Sequence, residues 1–328
     1  MENHWPVTGH AWAVAHLARA LRNGRVRHAY LFTGPRGVGK TTLARAFAAA
    51  LNCTGEGPRP CGQCRACTLT LKGAHPDLAL VTPEREGGAV KIDQVRGLQQ
   101  TLALRPYEAR YRVAILRRFD QARPVAQDAL LKTLEEPSPN AVLILTADAP
   151  DRLLPTILSR CQVLNLRLLP VAQVQQALER DFGAPPERAQ LLAHLSGGRM
   201  GWAVRALQDP AVLELREDAL AALGEALRAP LRARFALADQ LARDKGALRD
   251  VLDTWQGFWR DVLLAAAENP APLSNVDLQQ DVVALARRVG VEGAEDALRA
   301  TRRTLDYLGR NVNARLALEV LLLDYPTP

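Results

Sequence analysis

The chain has 328 residues, 48% hydrophobic and 23% charged, so it is large enough and apolar enough for two or three globular domains. Its 42 basic and 35 acidic residues give a formal net charge of +7, which is compatible with work near nucleic acid but does not establish it. The sequence contains no run of about 18 apolar residues, which predicts no membrane span. The first residues lack a signal-peptide pattern, so we expect a cytoplasmic protein.

The first half of the chain alternates short apolar runs with amphipathic stretches. The apolar runs predict five strands, at residues 30–32, 78–81, 113–116, 142–145 and 163–166. The amphipathic stretches predict helices, at residues 14–21, 41–51, 92–104 and 125–134. Alternation of this kind is typical of a mostly parallel sheet with helices on both faces.

Strand patterns stop near Leu168, and the remainder is rich in residues that favour helices. Residues 168–208 predict a small unit of three helices, with Pro185-Pro186 and Gly197-Gly198 as breakers. Residues 209–328 predict a separate helical bundle. The fold class is therefore α/β followed by all-α, with domains at 1–167, 168–208 and 209–328.

A glycine-rich segment between the first predicted strand and the next helix matches the phosphate-loop pattern. The candidate nucleotide-binding residues are Gly34, Pro35, Arg36, Gly37, Val38, Gly39, Lys40, Thr41 and Thr42. In such loops consecutive backbone N–H groups face the phosphates, the lysine reaches the β and γ phosphates, and the hydroxyl contacts magnesium. The alternatives are a chance match to a loose pattern and a retained loop that binds nucleotide weakly or not at all.

The acids that should accompany this loop are missing from their usual place. In phosphate-loop ATPases, acidic residues after a core strand hold magnesium and position the attacking water. The candidate strand at 113–116 is followed by Arg117-Arg118, and arginine can neither bind magnesium nor act as a base at neutral pH. Asp120 comes too late in the chain, and Asp148 follows another strand. The alternative is that a different strand carries the acids.

Four cysteines lie within fifteen residues, at Cys53, Cys61, Cys64 and Cys67. Cysteines separated by two residues can bind one tetrahedral zinc ion in a tight turn. Four thiolates fill all four coordination positions of the ion. The spacing predicts a structural zinc module at 53–67, and the alternative is a reduced or redox-active cluster. Cys161 is remote in sequence and is expected to be a packed thiol.

These features together resemble the bacterial replicative clamp loaders, within the AAA+ ATPases. The resemblance rests on the string at His28–Phe32, on the zinc module placed after the phosphate-loop helix, on Ala129–Pro137 and on Ile157–Cys161. It covers residues 5 to 205 well. It implies an AAA+ P-loop domain, a helical lid domain, and a C-terminal helical collar for oligomerisation.

Two departures distinguish the chain from the tau/gamma motor subunits of that family and make it similar to the delta-prime subunits. The motor keeps Asp-Glu where this chain has Arg117-Arg118. Its lid also carries a nucleotide-sensing arginine, which in our register falls on Gly201, two places after Arg199. One feature differs from some delta-prime subunits, which lack the phosphate loop that this chain retains. The sequence therefore leaves open whether this chain binds ATP without hydrolysing it.

The resemblance also gives a role to Arg160 in the Ser159-Arg160-Cys161 motif. In this family the corresponding arginine projects into the nucleotide site of a neighbouring subunit, where a guanidinium stabilises charge on the phosphate. We expect Arg160 to be such an arginine finger, acting in trans. The alternative is that it pairs with a local carboxylate or helix end.

The sequence therefore predicts a clamp-loader subunit of DNA polymerase III that does not hydrolyse ATP itself and helps to load the sliding clamp on primed DNA. The implied partners are the tau/gamma and delta subunits in a hetero-oligomeric ring, the clamp, and primer-template DNA through the assembly. Two other readings remain: a tau/gamma-like ATPase motor that uses Lys40 and Thr41, and a zinc-stabilised adaptor with a vestigial nucleotide site.

Overall fold

The computed structural model describes residues 5–84, 88–309 and 312–326. They form two compact units, of which the first reaches Leu169 and includes Arg199–Gly201, and the second comprises Pro170–Gly198 and the residues from Trp202 onward. Among the helices described, none combines the length and the apolar character needed to cross a bilayer.

The first unit is built on a sheet that has five strands within the described residues. The strands are β1 (Ala29–Thr33), β2 (Leu78–Val81), β3 (Arg112–Leu116), β4 (Ala141–Ala147) and β5 (Gln162–Asn165). All pairs are parallel and the order is β2-β3-β4-β1-β5. The first strand therefore lies between β4 and β5, and the segments that follow these three strands emerge at one edge of the sheet.

Helices cover both faces of the sheet, as the sequence predicts. They are α1 (Ala11–Arg22), α2 (Lys40–Leu51), α3 (Arg65–Lys72), α4 (Ile92–Ala103), α5 (Pro124–Glu135) and α6 (Pro155–Arg160). Because successive strand residues point to opposite faces, Tyr30 packs in one core cluster with Phe47 of α2, and Leu31 packs in the other with Leu130 of α5. The predicted strand at 163–166 begins one residue earlier, and α3 has no counterpart among the predicted helices.

The chain after β5 is helical. The helices are α7 (Val171–Phe182), α8 (Pro186–Leu195), α9 (Met200–Gln208), α10 (Ala211–Arg228), α11 (Leu231–Leu241), α12 (Lys245–Ala266), α13 (Gln279–Leu308) and α14 (Ala314–Asp324). Helix α13 is interrupted at Gly290, where φ is 64°. The fold class expected from the sequence, α/β followed by all-α, is confirmed.

Trp255 and Trp259, four residues apart in α12, lie in the core of the second unit. Both are fully buried, and their rings lie 5.9 and 5.3 Å from the ring of Tyr325. The indole N–H of Trp255 donates to the backbone oxygen of Ala219 at 2.6 Å, which satisfies its buried polar atom. These tryptophans stabilise the helical unit and do not form a binding surface.

Candidate functional site

The phosphate loop connects the buried strand β1 to helix α2. Its first glycine, Gly34, has a φ of 134°, and a Cβ atom there would lie only 2.2 Å from the backbone oxygen of Leu166. Any side chain at position 34 would therefore collide with the segment after β5. The loop leads directly into the N-terminus of α2, where unpaired backbone N–H groups and the helix dipole favour an anion. The geometry is that of a phosphate-binding loop.

The side chain of Lys40 folds back onto this loop. Its ammonium donates to the backbone oxygens of Gly34 at 2.6 Å and Pro35 at 2.8 Å. It also lies 2.7 Å from Oδ1 of Asp148. The lysine is only 7% exposed, so this is a buried ion pair and not a surface contact.

Asp148 and Asp120, which sequence reasoning set aside, both lie near the loop. Asp148 follows β4, which pairs in parallel with β1 so that Thr33 lies opposite Ala147. The residues after the two strands are therefore neighbours. A prediction of strand order, in addition to strand positions, could have found the contact with Lys40.

Asp120 lies beside Asp148. It is buried, and its Oδ2 accepts a hydrogen bond from the backbone N–H of Ala149 at 3.1 Å. Burial raises the pKa of the Asp120 carboxyl above its usual value, and the charge of Asp148 raises it further. The structure thus brings two carboxyl groups to the loop, on positions other than those where magnesium-binding acids were expected.

Arg117 and Arg118 follow β3, as the sequence predicts. The N–H of Arg117 continues the pairing with β2 by donating to the oxygen of Val81 at 2.9 Å. Arg118 has a φ of 52°, and its N–H donates to the hydroxyl of Thr146 at 3.1 Å. Backbone contacts on both sides fix the end of this strand, so the two arginines occupy its carboxyl end.

A histidine supports the phosphate loop from the side of α1. His10 is buried, and its Nε2 lies 3.0 Å from the backbone oxygen of Val38. Burial lowers the pKa of the ring below its usual value, and the bond to Val38 opposes that shift in part. We infer that the neutral ring donates to the loop, a role that the spacing of the histidines does not indicate.

The segment expected to carry a sensing residue also touches the loop. Within the first unit, the N–H of Gly201 donates to the backbone oxygen of Gly37 at 2.7 Å. A Cβ atom at position 201 would lie 3.0 Å from that oxygen, which is tighter than ordinary van der Waals contact. The absence of a side chain at position 201 permits this close approach of the two backbones.

The four cysteines of the predicted zinc module converge. The sulfur atoms of Cys53, Cys61, Cys64 and Cys67 all lie within 4.8 Å of one another. A tetrahedral thiolate site has metal–sulfur bonds of about 2.3 Å, which require sulfur–sulfur separations of roughly 4 Å. Gly55 is needed here, because a Cβ atom on it would lie 2.7 Å from the sulfur of Cys61. The four-cysteine group could hold a metal ion.

Backbone N–H groups point at these sulfurs. The N–H of Cys61 contacts the sulfur of Cys53 at 3.4 Å, that of Cys64 contacts Cys61 at 3.3 Å, and that of Cys67 contacts Cys64 at 3.4 Å. Burial alone would raise the pKa of the Cys64 thiol, but hydrogen bonds from Cys67 and Thr54 lower it to about 5. Thiolate, the form that binds metal, is therefore favoured at this position.

Arg160 ends helix α6 and is held by local contacts. Its guanidinium lies 2.7 Å from Oε1 of Glu135, the last residue of α5, and donates to the backbone oxygen of Thr156 at 3.1 Å. The pairing with a local carboxylate considered from the sequence is therefore present. About a third of the side chain is exposed, at 35%, so the group is also accessible from solvent.

The strand order, the phosphate loop after β1 and the helical region after β5 together define an AAA+-type P-loop protein. Two family models described as the DNA polymerase III delta subunit and its C-terminal domain match residues 9–170 and 210–327. DNA polymerase III subunit delta' of Bacillus subtilis is 31% identical over 94% of this chain and 93% of its own length. The chain therefore belongs to the family of DNA polymerase III delta' subunits, which confirms the family expected from its motifs.

More distant relatives are the tau subunits. That of Escherichia coli is 36% identical over 59% of this chain but only 31% of its own length. Among solved structures, a gamma subunit-related protein from Thermotoga maritima aligns with 94% of this chain and 97% of its own, at 18% identity and a TM-score of 0.41. The sequence similarity to the Escherichia coli tau subunit covers only part of each chain.

Removal of one cysteine tests the metal site. We predict about one metal ion per purified chain, since four thiolates complete a tetrahedral shell. Cys64→Ser should lower the metal content and the unfolding temperature, measured by elemental analysis and calorimetry. Cys161→Ser is the matched control, because Cys161 lies outside the cluster. Equal metal contents in the two variants would contradict the assignment.

The buried ring of His10 predicts a pH-dependent stability. Its folded pKa lies below the usual 6.5, so the unfolded chain binds the proton more readily. Stability is fully present above pH 6.5 and is lost as the pH falls from there to the folded pKa. Urea unfolding at about pH 7.5 and 5.5 should show a smaller loss in His10→Gln than in the unmodified chain. The same loss in both proteins would exclude this role.

Proposed function

We propose that this chain is a delta'-type subunit of the clamp loader and that it does not hydrolyse ATP at its own phosphate loop. The observation that carries the proposal is the pair Arg117-Arg118 directly after β3, which lies between β2 and β4 in the sheet. A hydrolytic site needs carboxylates there to hold magnesium and to orient water. Arginine supplies neither function. The ion pair between Lys40 and Asp148 further supports a loop that is not arranged for catalysis.

The catalytic contribution of the chain is proposed to be Arg160, donated to an ATP bound by a neighbouring subunit. Three features support this role: the arginine ends a short helix, it is partly exposed, and it carries a planar group suited to a phosphate. Its pairing with Glu135 does not oppose the proposal. The side chain of Glu135 is 50% exposed, so little free energy is needed to separate it from Arg160.

We propose the remaining assignments because they are typical of this family. The subunit joins tau/gamma and delta subunits in a hetero-oligomeric ring in the cytoplasm, and the ring acts on the sliding clamp and on primer-template DNA. Residues 1–167 form the AAA+ domain, 168–208 the lid and 209–328 the oligomerising collar. Zinc is the proposed ion for the four cysteines, with a structural role, because the donor set leaves no position for a substrate.

One rival function retains support from the site. Lys40 and Thr41 stand in the positions that an ATPase needs, and Asp120 and Asp148 lie close to the loop. In a tau/gamma-like motor, Asp120 and Asp148 would serve as the magnesium-binding acids in place of residues directly after β3. The arrangement argues against it, because Asp148 is bound by Lys40 and Asp120 has a raised pKa, which disfavours the charged form that binds magnesium.

Substitution of Arg160 and Lys40 separates the two functions. In a reconstituted loader, Arg160→Ala should lower clamp- and DNA-stimulated ATP hydrolysis at least about tenfold, because an arginine finger stabilises the transition state. Lys40→Ala should leave the rate within about twofold, since the loop contributes no turnover. Arg96→Ala is the control, because Arg96 is an exposed arginine of the same unit. The opposite pattern, with loss only in Lys40→Ala, would establish the motor function.

A variant of Glu135 distinguishes a finger from a local structural arginine. If Arg160 acts only by pairing with Glu135, then Glu135→Gln and Arg160→Ala should reduce the loader's ATPase rate equally. If Arg160 acts on a neighbour's phosphate, Glu135→Gln should keep the rate within about twofold, as is typical when an exposed ion pair is lost. The measurement is the same steady-state ATPase assay, with assembly of each variant checked by gel filtration.

A further inference from the structure

The hydrogen-bond donors of Lys40 are fully engaged by oxygen atoms of the chain itself. A lysine ammonium has three N–H groups. Within the part of the chain that the structure describes, they face the backbone oxygens of Gly34 at 2.6 Å and Pro35 at 2.8 Å and Oδ1 of Asp148 at 2.7 Å. The first two acceptors belong to the loop and shape it. The contact with Asp148 is therefore the one that an incoming phosphate would have to replace.

The position of Asp148 is set by the sheet. Residues 143–147 of β4 pair with the whole of β1, with Thr33 opposite Ala147, so Asp148, the residue after β4, lies beside the start of the loop. The side chain of Asp148 is only 10% exposed, and that of Lys40 only 8%. Separation of a buried ion pair leaves two uncompensated charges and is costly. Asp148 is thus a fixed element of the loop's surroundings.

A second carboxyl group, that of Asp120, lies close to the carboxylate of Asp148. Asp120 is 5% exposed and lies close enough for the charge of Asp148 to raise its pKa. Oδ1 of Asp120 and Oδ2 of Asp148 are buried, and among the described residues neither has a hydrogen-bond partner. The charge of Asp148 repels a further anionic group at the same place.

The rest of the loop lacks this repulsion. Its backbone and the N-terminus of α2 offer N–H groups to phosphates, and Gly34 and Gly39 both have the positive φ that the loop requires. Arg117 and Arg118, at the end of β3, are engaged in interactions of their own. The backbone N–H groups that hold the phosphates nearer the nucleoside are therefore preserved. The Lys40 ammonium, which in such loops reaches the β and γ phosphates, is taken by Asp148, so the β phosphate keeps its backbone donors while the γ phosphate loses its lysine contact.

We propose that the phosphate loop of this chain is a nucleoside diphosphate site, in which the Asp148 carboxylate occupies the Lys40 contact that the third phosphate of a triphosphate requires. The inference goes beyond the proposed clamp-loader role and does not depend on Arg160. It assigns a ligand class to the loop, and it identifies Asp148 as the residue that determines the specificity.

Equilibrium binding to the purified full chain tests this site. Calorimetric titration with ADP and with ATP, with magnesium in excess, should give an affinity for ADP at least about tenfold higher than for ATP. Asp148→Asn keeps the shape and removes the charge, so it should tighten ATP binding at least about fivefold and change ADP binding less than about twofold. Asp151→Asn, at an exposed acid three residues further on, should retain the original preference.

Several results would overturn the proposal. Equal affinities for ADP and ATP in the unmodified chain would do so without any variant, even if Asp148→Asn fails to fold. An equal change for both nucleotides in Asp148→Asn would show that Asp148 does not act on the third phosphate. Binding of neither nucleotide to the unmodified chain would show that the loop is vestigial. None of these results bears on the loader assay with Arg160→Ala, so the two proposals fail independently.

Discussion

The parallel pairing of β1 with β4 and β5 is the constraint on which the site depends. It places the start of the phosphate loop between two neighbouring chain segments, so that Leu166 after β5 excludes a side chain at Gly34 and Asp148 after β4 meets Lys40. Both contacts involve residues more than a hundred positions from the loop in sequence. Hydrogen bonding between strands, and not local propensity, brings them together.

On the proposed function, this arrangement separates two tasks that a hydrolysing subunit combines. A motor binds a triphosphate and supplies magnesium-holding acids from another core strand of the sheet. In this chain that strand ends in Arg117-Arg118, and the acids that do approach the loop are bound by its own lysine or carry a raised pKa. Arg160, in contrast, ends a helix whose core contact is the buried Ile157. A rigid scaffold that presents one arginine is well suited to act on a neighbour's site.

The cysteine cluster contributes to the same scaffold. Cys53 follows α2 by two residues and Cys67 lies in α3, so a bound ion would tie the helix that starts at the phosphate loop to the helix after it. The sulfur of Cys67 contacts the backbone oxygen of Ala49 in α2 at 3.7 Å, and the cluster packs on the side chain of Ala49. The module therefore supports the far end of α2 and is expected to act through stability, since no substrate position is open.

By itself the sequence determined the motifs and, apart from α3 and α6, the strands and helices of the first unit. Strand and helix positions followed from the period of apolar residues, and the phosphate loop, the cysteine spacing, Arg117-Arg118 and the motif around Arg160 follow from residue types at fixed local spacing. The tertiary structure decided which of these groups meet. Strand order set the Lys40–Asp148 pair and the place of Asp120, and packing of α1 set the bond from His10 to Val38. Contacts of this kind depend on long-range pairing and burial, which leave no local periodic signal in a single sequence.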